Sequence, residues 1–273
     1  MKTIITFFLL FSVLCLFAQN NQSSLAGARG AAMGSTGILF TDINSAFVNQ
    51  AGLANLEGFA GNVFAERRFL NSPINSISGA AAAPVSFGTF AITINSFGIE
   101  NYQEQKIGLA YARQLLKGLS IGVQFDYLST NIPLYGNVGV FTFEAGLQAQ
   151  LLQDLQFGFH LYSPAQIDLV EEVPLPTIYK AGLAYTPSDK VFLIVEVEKD
   201  IDYPVRFKAG AEYQFSETFF LRTGIATQPT LASLGIGVLF NERLAVDISA
   251  SYHQILGVSP SVGVSYQLPQ KNN

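Results

Sequence analysis

The 273-residue chain has one cysteine, no tryptophan, two histidines and two methionines. Cys15 lies in an apolar stretch at the N-terminus and everything after it is cysteine-free, which excludes disulfides and thiolate metal centres from that part. Charge is scarce as well. Asp, Glu, Lys and Arg amount to 13 %, against the ~25 % usual in soluble domains. The formal net charge of -5 has the wrong sign for a nucleic-acid binder, so nucleic acid is not expected as a partner. Transmembrane helices are excluded next. Two long uncharged stretches, Phe69 to Ile99 and Thr223 to Asn241, contain Pro73, Pro84 and Pro229 among many Gly, Ser and Asn. Any membrane span beyond the N-terminus must then be built from strands, the other way to satisfy backbone hydrogen bonds in lipid.

The N-terminus reads as a secretory signal. Lys2 precedes an apolar run from Ile4 to Phe17, interrupted by Thr6 and Ser12, and Ala18 stands before the polar stretch Gln19 to Ser24. A run of roughly 14 apolar residues is short of the ~20 that a spanning helix needs. Cleavage is expected after Ala18, and loss of Lys2 takes the net charge from -5 to -6. Leu14 before Cys15 argues against a lipoprotein, which would have a small residue there.

What the chain does have is Phe (23), Tyr (11) and strict period-two alternation. Val205, Phe207, Ala209, Ala211, Tyr213 and Phe215 share one face, with Arg206, Lys208, Gly210, Glu212 and Gln214 on the other. Eleven residues with one wholly apolar face match a tilted membrane-crossing strand of ~9 to 11 residues. Turn residues divide the chain into fourteen such strands, at 59–69, 75–85, 89–97, 104–114, 119–129, 138–151, 155–163, 177–185, 190–199, 204–215, 218–226, 231–240, 243–252 and 261–268. Short turns (86–88, 115–118, 153–154, 186–189, 216–217, 241–242) alternate with longer connections, the longest at 131–137, 163–176 and 253–260. This parity is that of an antiparallel transmembrane β-barrel with short periplasmic turns and longer external loops. A soluble β-sandwich would have to hide both its apolar face and its edge strands, and no repeat of solenoid length is present. The expected organisation is a signal peptide (1–18), an N-terminal segment (19–58), the barrel (59–268) and a polar tail (269–273), in a bacterial outer membrane with lipid around it.

The segment before the barrel is rich in small residues. Asp42 or Asn44 is placed to cap a short helix and Gly52 to end one. Gly27, Arg29, Met33 and Gly34, followed by Asp42, Ala46, Asn49, Ala51, Gly52 and Leu53, resemble the N-terminal signature of FadL-like outer-membrane transporters, and especially of the PorV/PorQ proteins associated with type IX secretion. The resemblance implies a fourteen-stranded barrel with an N-terminal hatch in its periplasmic mouth, and hydrophobic ligands moving between an external pocket and the barrel wall. Gln50 stands where the family has proline. Tyr266-Gln267-Leu268 with a polar tail replaces a terminal aromatic, and the chain is short for large ligand-gathering loops.

Candidate chemistry is sparse. His160 and His253 lack partners at metal-ligand spacing, and no motif joins His253 to Ser251 or Ser259, so neither catalysis nor a cofactor is expected. Lumen-side charges are of mixed sign: Lys180, Arg206, Lys208 and Arg222 against Asp126, Glu144, Glu196, Glu198, Glu212 and Asp247. A one-sign ring would imply ion selectivity, whereas mixed signs imply a salt-bridged interior that Arg29 is placed to join. Apolar residues in the outer connections, Ile132, Leu134 and Tyr135, then Ile167, Leu169, Val170, Val173 and Leu175, then Ile255, Leu256 and Val258, either close the mouth or form a binding surface. Two functions follow as expectations: binding or passive transport of hydrophobic molecules, or a non-transporting role as a binding or assembly component of type IX secretion.

Overall fold

A computed structural model describes residues 25–133, 136–165, 167–170 and 173–268. The expected signal peptide and polar tail lie outside the described residues, as do Leu134 and Tyr135. The strands are β1 (Ala60–Arg67), β2 (Asn75–Val85), β3 (Gly88–Ile99), β4 (Tyr102–Leu116), β5 (Leu119–Ile132), β6 (Gly136–Leu152), β7 (Leu155–Tyr162), β8 (Asp168–Val170), β9 (Val173–Pro174), β10 (Ile178–Ser188), β11 (Val191–Asp200), β12 (Arg206–Gln214), β13 (Phe219–Ala226), β14 (Leu231–Phe240), β15 (Leu244–His253) and β16 (Gly257–Gln267). All but β8 and β9 form one closed, antiparallel, fourteen-stranded barrel in which each strand pairs with the next and β1 pairs with β16. The short β8–β9 hairpin belongs to the connection between β7 and β10. Among the described residues no helix is long and apolar enough to cross a membrane.

The side chains are distributed inside out relative to a water-soluble sheet. Along β12, Arg206, Lys208, Gly210 and Glu212 are buried while Phe207 and Tyr213 are exposed. Along β5, Gln124 and Asp126 are buried while Phe125 is 67 % exposed. The same inversion puts Leu109, Phe141, Leu221, Ile236 and Ile248 on the outer surface. An apolar wall around a polar interior is the arrangement of a barrel solvated by lipid, and closure leaves no strand edge with unpaired backbone groups.

Every expected strand is present, with ends within four residues of those read from turn signals. The connections differ more. The expected loop 131–137 shrinks because β5 and β6 pair on to Ile132 and Gly136. The expected loop up to Pro260 shrinks to residues 254–256 because β16 begins at Gly257. Pro260 is tolerated in β16 because it lies one residue beyond Ser261, the last partner of β1, where a missing N–H leaves no gap in that ladder. The connection between β3 and β4 is only Glu100 and Asn101, as tight as any turn at the opposite end, so the expected parity of long and short does not hold there. At 163–177 the connection is long, as expected, and carries the β8–β9 hairpin.

Residues 25–59 precede β1, and most of them lie inside the barrel. They form α1 (Gly27–Ala32) and two 3₁₀ turns, Ile43–Phe47 and Gln50–Asn55. Met33, Ile38, Leu39, Phe40, Ile43, Phe47, Leu53 and Leu56 make a buried apolar core against wall alanines Ala60, Ala80, Ala82, Ala91, Ala110 and Ala112. This core fills the half of the lumen nearer the short turns. Replacing Phe125 at the middle of β5 by Arg is expected to cost ~2–4 kcal/mol, the depth-dependent penalty of a charge on the lipid face. Urea unfolding in lipid vesicles measures it, and a loss below about 0.5 kcal/mol would contradict a lipid-facing wall at that position.

Candidate functional site: the filled lumen

The internal segment comes unusually close to the wall because glycines line its path. Gly122, Gly146, Gly158, Gly182, Gly210, Gly224, Gly235 and Gly263, on eight different strands, all face it, and several stand side by side: Gly122 opposite Gly146, Gly158 opposite Gly182, Gly210 opposite Gly224. A Cβ on Gly210 would sit 2.7 Å from the Met33 carbonyl oxygen, and one on Gly224 would overlap the Met33 backbone outright. Gly34 adds a second requirement, since its φ of +71° is one that L side chains rarely adopt and a Cβ there would lie 2.6 Å from the Ile225 carbonyl oxygen. None of these wall glycines is among the expected site residues, although glycine at inward-facing positions of successive strands is a readable sign of close backbone approach.

Polar contacts lock the segment at one edge. Arg29 donates from Nε and Nη2 to the two carboxylate oxygens of Glu212 on β12, at 2.9 and 2.6 Å, and from Nη1 to Asp42 Oδ2 at 2.6 Å. Its guanidinium also stacks over Phe40, 4.2 Å from the ring centre. Burial alone would depress the Arg29 pKa, but Glu212 and Asp42 together more than reverse that and hold the group charged. Arg222 extends the cluster, reaching Glu212 and Asp247 at 2.5 Å each. The bidentate geometry fixes the position of α1 as well as neutralising charge.

Two further clusters complete the interior. Glu196 on β11 accepts from the backbone N–H groups of Gly37 (2.5 Å) and Ile38 (2.7 Å), with Lys208 at 3.9 Å. Glu198 takes Lys208 at 2.6 Å, and Lys180 and Arg206 at 3.6 Å. On the far side Glu144 accepts from Lys106 (2.6 Å) and Gln50 (2.9 Å) and meets His160 at 3.0 Å. Of the ten lumen residues expected from the sequence, nine fall into ion pairs within these clusters, and Asp126, equally buried, has no ion pair within 4 Å among the described residues. Lys106 was not among the expected residues, although the alternation of β4 places it on the inward face with Glu104 and Gly108. Gln50, noted as a departure from the family, is the residue that ties the second 3₁₀ turn to Glu144.

The remaining motif residues are structural. Asp42 caps the first turn by accepting from Asn44 N at 2.8 Å. Asn49 caps the second and donates to Ile38 O at 2.8 Å and Leu147 O at 3.2 Å. Gly52 does not end a helix, contrary to expectation; it sits within the second turn, where a Cβ would overlap Phe40 and Ser45. Gly27 adopts φ +63°, and Met33, Ala46, Ala51 and Leu53 are fully buried. In the outer connections Ile132, Ile167 and Leu169 are half-buried, Val173 begins β9, and Leu175 is buried instead of presented outward. Ile255 and Leu256 are exposed, and His253 Nδ1 accepts both of their N–H groups at 3.1 Å. The hydroxyls of Ser251 and Ser259 are engaged elsewhere, with Ser233 and with the Phe69 N–H. Among the described residues no group of three His, Cys, Asp or Glu is arranged to hold a metal.

On the outer surface, over β7 and β10 to β14, lies an apolar cavity of about 770 Å³ lined by Ala181, Leu183, Val195, Val197, Phe207 and Ile225, with Thr227 and Thr230 in its wall. Directly behind it Met33 and Gly34 press on the backbones of residues 209–210 and 224–225. Only one strand backbone separates cavity and internal segment at this place.

No protein-family model matches the chain, and no curated protein matches it. Solved structures do. The toluene transporter TbuX of Ralstonia pickettii aligns over 90 % of this chain and 99 % of its own, at TM-score 0.72 and 13 % identity. The P. putida toluene transporter TodX aligns over 90 % and 99 %, at 0.74 and 12 %. A Pseudomonas aeruginosa FadL homologue aligns over 88 % and 98 %, at 0.65 and 12 %. At these identities the likeness is one of fold: the chain is a closed fourteen-stranded barrel of the FadL-like kind.

Replacing Arg29 by Ala leaves Glu212 and Asp42 without their shared cation, and the expected loss is ~3–5 kcal/mol, the cost of breaking a buried pair from one side. Limited proteolysis of the folded barrel is expected to cut the internal segment in the Arg29→Ala variant and spare it in the natural protein. Equal protection in both would remove Arg29 as the anchor.

Proposed function

We propose that the chain is an outer-membrane barrel that binds hydrophobic molecules and lets them pass passively, with residues 25–58 as its hatch. The observation that carries this reading is the apolar cavity of about 770 Å³ set against the stretch of wall on which Met33 and Gly34 press from inside. Its size is within the ~300–1,000 Å³ of small-molecule sites, and its lining offers dispersion and desolvation with little hydrogen bonding, which selects apolar ligands. TbuX and TodX, toluene transporters of similar fold, favour the same class of ligand. The N-terminal signature from Gly27 to Leu53 supports the hatch assignment, and an enzymatic role has no observation in its favour.

In this reading the salt-bridged lumen keeps water and ions from leaking while the hatch is seated. Filling the cavity with Ala209→Phe is expected to reduce binding of a fluorescent fatty acid or a monoaromatic hydrocarbon to the purified barrel about tenfold, the effect of ~1.4 kcal/mol lost at the site. Unchanged binding, with the variant folded, would count against the cavity as the ligand site. Uptake unaltered in a deletion strain would count against transport as such.

A second reading is favoured by one observation. Ile255 is 85 % exposed at the tip of the β15–β16 connection, next to the half-exposed Leu256, and a solvent-facing apolar tip fits a protein partner. On this reading the chain belongs with the PorV/PorQ proteins and serves type IX secretion as a binding or assembly component. Co-purification with a larger outer-membrane complex in mild detergent, lost on Ile255→Asp, is its expected signature.

A further inference from the structure

The outer face of the wall is not apolar throughout. Directly paired residues of an antiparallel sheet share a face, so the register divides the outside into rows. One row, Ile94, Ile107, Tyr127 and Phe141 on β3 to β6, is apolar, with the Tyr127 and Phe141 ring centres 5.0 Å apart. A tyrosine at the end of a lipid-facing stretch marks the level of the membrane interface. Two residues further along each strand, about 7 Å away from the internal segment, the row is Ser96, Gln105, Ser129 and Gly139, and the one beyond it is Asn75, Gly98, Gln103, Asn131 and Asn137. These two rows carry no charge, and Arg67, opposite Asn75 on β1, stands at their edge. They exist because β4, β5 and β6 are 15, 14 and 17 residues long. On β15 and β16, by contrast, exposed apolar side chains continue outward to Tyr252 and Val258.

Gly98 interrupts the outermost row. Its φ is +142°, and a Cβ there would overlap the Tyr102 carbonyl group, so no side chain stands between Asn75 and Gln103. The gap, two strand spacings or about 10 Å across, is a recess of about 220 Å³ lined by Asn75, Ile77, Ser96, Ile99, Glu100 and Gln103. It is smaller than the ~300–1,000 Å³ of sites for drug-sized molecules and suits a single small ring. Asn75 Nδ2 donates to the Pro73 carbonyl oxygen at 2.9 Å, which orients the amide and turns its Oδ1 to other donors. Two amides and a hydroxyl bring donors and acceptors together, while Ile77 and Ile99 supply an apolar side and Glu100 disfavours a phosphate. That combination matches a neutral sugar, which has hydroxyls around its rim and C–H groups on its faces.

We infer that this recess and the amide face beside it bind the sugar headgroup of a neutral glycolipid of the outer leaflet, with the acyl chains lying along Ile94, Ile107, Tyr127 and Phe141. The apolar row is continuous with the lipid-facing wall, and the recess stands directly beyond it, at the height where a headgroup begins. A soluble sugar would gain nothing from that position. The inference rests on the outer-membrane placement of the barrel and is independent of passage through the cavity over β10 to β14.

The test is lipid retention by the detergent-folded chain, measured by native mass spectrometry with monoglucosyl diacylglycerol, diacylglycerol of the same chains, and maltose as probes. The glycolipid is expected to be retained at about tenfold lower concentration than diacylglycerol. Asn75→Leu and Gln103→Leu are each expected to remove that preference and leave diacylglycerol retention unchanged. Equal retention of the two lipids by the natural chain, or a preference that survives both substitutions, overturns the site, and maltose held as well as the glycolipid overturns the lipid source. Where a variant does not fold, hydrogen exchange of the natural chain decides: protection of residues 75–77 and 96–103 by the glycolipid beyond that given by diacylglycerol supports the site, and equal protection refutes it. A chain that fails to fold in detergent overturns the outer-membrane placement and the site with it, an outcome distinct from a folded barrel without preference.

Discussion

The constraint that governs this molecule is the solvent on its outside. A wall facing hydrocarbon has to be apolar on every outward position and free of unpaired backbone groups, which closure of β1 onto β16 accomplishes. The period of two then sends most charged and polar side chains of the strands inward. The interior becomes the part of the protein that needs solving: a ring of carboxylates, ammonium groups and guanidinium groups placed in a narrow space with little room for water. Residues 25–58 are the solution, and they work from both sides of the problem, supplying Arg29 and backbone N–H groups to Glu212 and Glu196 while filling the remaining space with Met33, Ile38, Phe40 and Leu53.

The anchoring is uneven. The edge around α1 is held by a bidentate ion pair, by glycine-to-backbone contact at Gly210 and Gly224, and by stacking on Phe40. The second 3₁₀ turn is tied to the opposite wall by neutral groups, Gln50 to Glu144 and Asn49 to backbone carbonyls. Among the described residues, several buried polar atoms without a protein partner, on Gln50, Thr93, Gln124 and Thr142, lie on that same side. The lumen thus has a tightly ion-paired half and a half held more by neutral hydrogen bonds.

Fourteen strands were legible in the sequence because a lipid-facing wall imposes a period-two pattern on every crossing, as Phe207 to Tyr213 against Arg206 to Glu212 shows. Strand ends beyond the apolar belt were less legible. Residues around Asn131 and Gly136 carry loop-like composition yet pair, since outside the belt the ladder is maintained by backbone geometry and contacts such as Ser129 to Asn137, which leave no hydrophobic signature. At the candidate site, Arg29 announced itself as a cation in a segment otherwise made of small residues. Its partner could not be read, because Glu212 is 183 positions away and several lumen carboxylates look alike in sequence. Lys106 and the inward glycines carry the correct alternation, but meaning comes to them only from the segment packed against them.

The seam between the first and last strands joins the wall to its contents. The internal segment leads directly into β1, and its contacts reach Gly158, Gly182 and Gly210, on the side of the wall that faces the seam from across the lumen. A displacement of β1 away from β16 is therefore resisted from the opposite wall as well as along the seam, so the segment acts as a tie rod across the diameter of the ring and not only as a stopper in its mouth.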